Sequence, residues 1–147
     1  MKKQLAIVTA VFLFGLSAMT LFGQETREVK AHVPFPFLVE NTMLPAGDYT
    51  VSRLDSGESA LVIQNRDKGI AVDFLTEAVE TKSADPPDNG SLVFDVVSGK
   101  HFLSEVWTTG TRTGWKLFPS RLEKQEMTAA GNHMSKKTVN CTSMHKG

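Results

Sequence analysis

The stretch Val29-Lys30-Ala31-His32-Val33-Pro34-Phe35-Pro36-Phe37-Leu38-Val39-Glu40 decides the fold class. Its odd positions are Val29, Ala31, Val33, Phe35, Phe37 and Val39; its even positions are Lys30, His32, Pro34, Pro36, Leu38 and Glu40. Successive strand side chains point to opposite faces, so this period of two predicts a strand with one interior face. Pro34 and Pro36 carry no backbone donor, which requires the strand to lie at an edge or to bend there.

The same rhythm continues downstream. Leu44-Pro45-Ala46-Gly47-Asp48 is turn chemistry, followed by Tyr49 and Val51 alternating with Thr50 and Ser52. Asp55-Ser56-Gly57-Glu58 and Arg66-Asp67-Lys68-Gly69 bracket a short apolar strand from Ala60 to Asn65. Ile70, Val72 and Phe74 then point one way and Asp73 the other. The run Ser83 to Gly90, with two prolines and Asn89-Gly90, is the longest break. Beyond it, Leu92, Phe94 and Val96 alternate with Val93, Asp95 and Val97. After the turn at Ser98-Gly99-Lys100, Phe102, Ser104 and Val106 oppose His101, Leu103, Glu105 and Trp107. Trp115 to Phe118 forms the last expected strand. Short strands joined by glycine-containing turns predict an all-β domain, a single antiparallel sandwich or barrel meander. The connections are too short for crossover helices, so neighbours are expected antiparallel. Ser120 as a cap with Glu123 three residues on predicts one or two helical turns. From Gly131 to Gly147 there is no periodicity, and a flexible tail is expected.

Val33-Pro34-Phe35-Pro36-Phe37-Leu38-Val39 and Leu44-Pro45-Ala46-Gly47-Asp48-Tyr49-Thr50-Val51 resemble segments of a group of small secreted β-proteins abundant in acidobacteria. So do Leu92-Val93-Phe94, Phe102-Leu103-Ser104-Glu105-Val106-Trp107 and the Gly114 to Glu126 segment with Ser120, Arg121 and Glu123. The resemblance covers roughly residues 29–126 and omits the tail. It implies export and a β-fold, and it carries no activity or site residues.

Composition agrees with one folded domain. The chain has 147 residues, a formal net charge of +0 and 41% hydrophobic residues, which argues against disorder and against nucleic-acid binding. Gln24 to Pro119 carries 9 Lys/Arg against 14 Asp/Glu, a net of −5; Ser120 to Gly147 carries 5 against 2, a net of +3. So weak a basic tail does not point to nucleic acid or lipid. Lys2 and Lys3 precede an apolar run from Leu5 to Phe22, the layout of a secretory signal. Cleavage is expected after Gly23, with Ala18 the second choice; the rival reading is an uncleaved membrane anchor. The expected organisation is a signal peptide at 1–23, a β domain at 24–130 and a tail at 131–147, secreted or periplasmic, with no membrane span after cleavage. A single cysteine, Cys141, leaves the domain without an internal disulfide.

No strong catalytic motif appears, and the protein is expected not to be an enzyme and to need no cofactor. Asp73, Asp95 and Glu105 oppose the apolar set on their strands, and two carboxylates facing each other across a gap could serve glycoside hydrolysis. Outward acidic residues on half-buried strands are usually just solvated. His101 and Glu105 are four apart, about 13 Å on a strand and too far to share one ion. His133, Met134, Cys141, Met144 and His145 are ligand types suited to Cu(I), in no recognised spacing. Trp107 and Trp115 bracket a Thr/Gly loop and could pair across a hairpin. With Leu103 on the side of Trp107, these three are the candidate ligand-binding residues, for a small apolar or sugar ligand; cross-strand aromatic packing is the plainer role. The expected function is an exported binding or envelope structural domain, with an extracellular hydrolase or a tail-mediated metal binder as alternatives.

Overall fold

A computed structural model describes residues 28–54, 59–82 and 88–142. The expected leader, the turn at 55–58, most of the loop at 83–90 and the last five residues lie outside the described residues. No helix among the described residues is long and apolar enough to cross a membrane. In chain order the elements are β1 (Val29–Val33), β2 (Phe37–Val39), β3 (Thr42–Leu44), β4 (Gly47–Arg53), β5 (Ala60–Asn65), β6 (Ile70–Glu80), β7 (Ser91–Val97), β8 (Lys100–Trp107), β9 (Thr113–Leu117), α1 (Arg121–Ala129) and β10 (Ser135–Asn140).

The strands form one open sheet that does not close into a barrel. One half runs β1-β4-β5-β6. The other runs β6-β9-β8-β7-β10, with β2 and β3 beside β8. Three places carry the chain from half to half, one being the turn from β3 back to β4 at Pro45-Ala46. The eleven-residue β6 pairs with β5 through Leu75 and with β9 from Thr76 onward. The single kinked strand expected over residues 29–39 is two strands, β1 on β4 and β2 on β8, separated at the two prolines. Loss of two N–H donors makes Pro34 and Pro36 a natural place to leave one ladder and enter another.

Both halves turn their apolar faces to one core. Val29, Ala31 and Val33 meet Phe35, Phe37, Tyr49, Ile63, Phe74, Phe94, Val106 and Trp115 there. The ring of Phe37 lies 5.0 Å from Tyr49 and 5.3 Å from Phe94, both nearly edge-on, the geometry aromatic quadrupoles favour. Each fully buried Phe of this kind contributes roughly 1.5–3 kcal/mol by desolvation. The Leu44 to Tyr49 segment holds the base of this core. Tyr49 Oη donates to Pro45 O at 2.6 Å, Lys68 Nζ donates to Ala46 O at 2.9 Å, and Asn65 Nδ2 sits 2.9 Å from where a Gly47 Cβ would be. The Leu44 to Tyr49 segment is therefore a structural corner.

Three further expectations are corrected. The first concerns pairing: one contact is parallel, Leu38 of β2 against Phe102 of β8. Short connections dictate antiparallel pairing only between strands adjacent in sequence, and these two are distant. The second concerns the tail, which contributes β10, antiparallel to β7 from Ser135↔Val96 to Asn140↔Ser91. The third concerns the even positions: Leu38 is buried, forming with Val97 and Phe102 a second apolar cluster. Leu122, Met127 and Ala130 of the α1 segment cover that cluster. As expected, Ser120 caps α1: its Oγ accepts from Glu123 N at 3.1 Å, and the Glu123 carboxylate accepts from the Ser120 backbone in return. Gly131, at φ 63°, turns the chain back from α1 toward β10, a conformation costly for other residues.

Candidate functional site

The outer face of the β6-β9-β8-β7-β10 half carries the candidate site. Register fixes its rows. Val79, Gly114, Trp107, Ser91 and Asn140 lie side by side across the five strands. The next row is Glu77, Lys116, Glu105, Val93 and Thr138. Toward α1, Asp95 faces Phe102 on one side and Lys136 on the other. α1 sits over Val97 and Phe102, so the helix walls the end of this face away from Trp107.

Trp107 is half-buried and lies flat on the sheet. A Cβ built on Gly114 would fall 2.6 Å from its Cε3 and 2.7 Å from its Cδ2, so the ring uses the space glycine leaves. Its indole N–H donates to Glu105 Oε2 at 2.9 Å, which fixes the ring's rotation. The ring is thereby held against Gly114 and stays only partly buried.

A polar chain runs from this ring to the helix. Lys136 Nζ lies 3.5 Å from Glu105 Oε1 and 3.0 Å from Asp95 Oδ1. Burial works to lower the Lys136 pKa, but the hydrogen bonds and charges of Asp95 and Glu105 outweigh it and hold the ammonium above its usual value. Glu123, only 6% exposed, hydrogen-bonds to Asp95. Burial first, then the Asp95 charge and hydrogen bond, push its carboxyl up to about 7, against the lowering effects of the Ser120 backbone and Lys136. Below about pH 7 Glu123 therefore holds a proton, which it shares with Asp95 as the hydrogen-bond donor. They touch each other beneath α1, leaving none of the gap an attacking water would need in an inverting glycosidase.

The structure separates the three candidate binding residues. Trp107 is on the outer face. Trp115, 5% exposed, pairs with Val106 and enters the core, where the Arg53 guanidinium lies 5.4 Å from its ring. Leu103, 2% exposed, also joins the core, opposite Phe94. The reason is a bulge: Val93 pairs with Glu105 but Phe94 with Leu103, so Ser104 is an extra residue and the parity of β8 flips there. Ser104 Oγ donates to Val93 O at 3.1 Å, satisfying the buried hydroxyl. Trp107 and Trp115 accordingly do not stack across the hairpin.

The other polar candidates do not converge. Asp73 is exposed on β6 in the opposite half. His101 faces inward, stacked on Phe35 at 4.1 Å, its pKa lowered by burial and by Lys137. His32 Nδ1 is hydrogen-bonded to Asp48 Oδ1 at 2.7 Å, beside an open groove of about 310 Å³ that Lys30, Thr50, Gln64 and Arg66 also line. His133 and Met134 are exposed before β10, whereas Cys141 packs against the core after it. The intervening strand holds the ends roughly 20 Å apart. Among the described residues no three His, Cys, Asp or Glu are grouped to hold a metal. Lys136 and Glu123 are the residues that sequence reasoning missed. The only signal for either was the capping box, which marks a helix start and not a site.

No protein-family model, curated protein or solved structure matches this chain, so its function is read from the geometry above.

Proposed function

We propose that this protein is an exported, non-enzymatic β-domain that acts by binding, and that its contact surface is the outer sheet face around Trp107. One observation carries the reading: an indole laid over a glycine, pinned by Glu105 and only half-buried. A tryptophan needed only for packing gains most by entering the core, as Trp115 does. A sandwich arrangement of the two halves supports the same view, since Phe35, Phe37, Tyr49 and Phe94 occupy the space in which a barrel-type carrier would hold its ligand. Export is supported by Lys2, Lys3 and the apolar run to Phe22, and by the resemblance to secreted β-proteins.

Native mass spectrometry of protein recovered from the envelope and medium of producing cells tests this. The expected result is a mass lacking about the first 23 residues of a cleaved leader, with a retained ligand that is lost in Trp107→Ala. Full-length chain confined to the cytoplasm would contradict export. Ligand retained equally by the variant would contradict the assigned surface.

A further inference from the structure

We propose that the outer face binds a neutral polysaccharide chain, stacked on Trp107 and Phe118 with its hydroxyls meeting Lys116, Glu105 and Glu77 between them. The inference rests on the reading of that face as the contact surface and names what it takes.

The shape comes first. Small ligands are bound tightly when a concave site encloses most of their surface. This face is an open sheet, so a small ligand gains too little contact, whereas a long one gathers contacts from many rows. Five strands at about 4.8 Å spacing give a width of about 19 Å, room for several sugar units.

The pattern of rows comes second. Trp107 lies over Gly114. Phe118, just past the end of β9 and four residues beyond Gly114, is 55% exposed, and Leu75, next to the Thr76 that pairs with Leu117, is 59% exposed. Four residues of strand span about 13 Å. Between the two apolar levels lies the charged row of Glu77, Lys116 and Glu105. A purely apolar ligand bridging the two levels would bury Glu77 and Lys116 with nothing to pair with, at a cost of about 1–3 kcal/mol each. A pyranose chain offers apolar C–H faces for the rings and hydroxyls, each both donor and acceptor, for carboxylates and ammonium alike.

Charge comes third. The carboxylates of Glu77, Glu105 and Asp95 stand among the ammonium groups of Lys116 and Lys136, and Lys136 is already paired with two of the acids. Such a mixed, largely self-satisfied face offers no net field to a polyanion or a polycation. A neutral chain suits it.

The test is affinity electrophoresis and calorimetry of the full chain with soluble neutral β-glucan, xylan and galactomannan. Polygalacturonate serves as the anionic probe and anilinonaphthalene sulfonate as the apolar one. The expected result is binding of at least one neutral polymer, weakened tenfold or more by Trp107→Ala and by Phe118→Ala, and unchanged in Gln64→Ala on the other half. Circular dichroism and Trp107→Phe, which keeps a ring, separate lost stacking from lost folding. Neutral-polymer binding indifferent to Trp107 overturns the proposal. Trp107-dependent binding of only the anionic or the apolar probe overturns the polysaccharide and leaves the face as contact surface. Absence of any Trp107-dependent binding overturns both.

Discussion

Gly114 and Trp107 are complementary: the indole fills the volume in which a Gly114 side chain would stand, with Cε3, Cδ2 and Cζ3 all within 2.9 Å of an added Cβ. Gly114→Ala must therefore lift the ring. Alanine in a strand ordinarily gains about 0.5–1 kcal/mol over glycine, but overpacking costs about 1–3 kcal/mol, and here the second effect is expected to win. Chemical denaturation should show a net loss of about 1 kcal/mol. A variant more stable than the parent would mean that the ring is not seated there.

The carboxyl pair under α1 makes stability depend on pH with an unusual sign. Glu123 titrates at about 7 in the folded chain and at its ordinary value of 4.5 when unfolded. Between those limits the folded state holds more proton, so this group's contribution falls as pH rises from about 4.5 to about 7 and stays low above. The full effect is at most ~3 kcal/mol. Glu123→Gln, which keeps the hydrogen bond to Asp95 without the titration, is expected to flatten the slope and to be relatively more stable at pH 8 than at pH 5. Denaturation midpoints of both forms across that range check it; identical slopes would contradict the shared proton.

β10 gives a prediction opposite to that for a flexible tail. A chain ending at Ala130 loses the Lys136 bridge to Asp95 and Glu105, the Val139 packing, and every hydrogen bond to β7. The expected loss is about 2–4 kcal/mol, a fall in Tm on the order of 10–20 °C, with a bare β7 edge prone to association. Thermal melts with light scattering measure both. Unchanged Tm would show that β10 is not docked.

Cys141 packs beside Gly90 and the core, and burial pushes its thiol up to about 11. Little thiolate exists at neutral pH, so iodoacetamide labelling of native protein at pH 8 should be at least about tenfold slower than in denaturant. Equal rates would place the thiol in solvent.

The dry face of residues 29–39 was legible because its odd positions are all apolar and all buried. Leu38 was not, because the helix that buries it contributes only Leu122, Met127 and Ala130, too sparse a set to announce a second apolar face. The candidate site was legible in part. Trp107 stood out, but its partners depended on a bulge at Ser104 with no glycine or proline to mark it, and that bulge moved Leu103 into the core. Trp115 missed its expected pairing by one residue, since register sets Gly114 opposite Trp107 and Val106 opposite Trp115. β10 escaped notice because Ser135-Lys136-Lys137-Thr138 is held by backbone ladder and lysine ion pairs, and lysines on an edge strand read as solvated coil.

The most direct measurement is acrylamide quenching of two single-tryptophan forms, Trp115→Phe, which retains only Trp107, and Trp107→Phe, which retains only Trp115. The expected result is ready quenching and red-shifted emission from Trp107, with Trp115 shielded and blue-shifted. The reverse order, or equal shielding of both, would contradict an outward-facing indole.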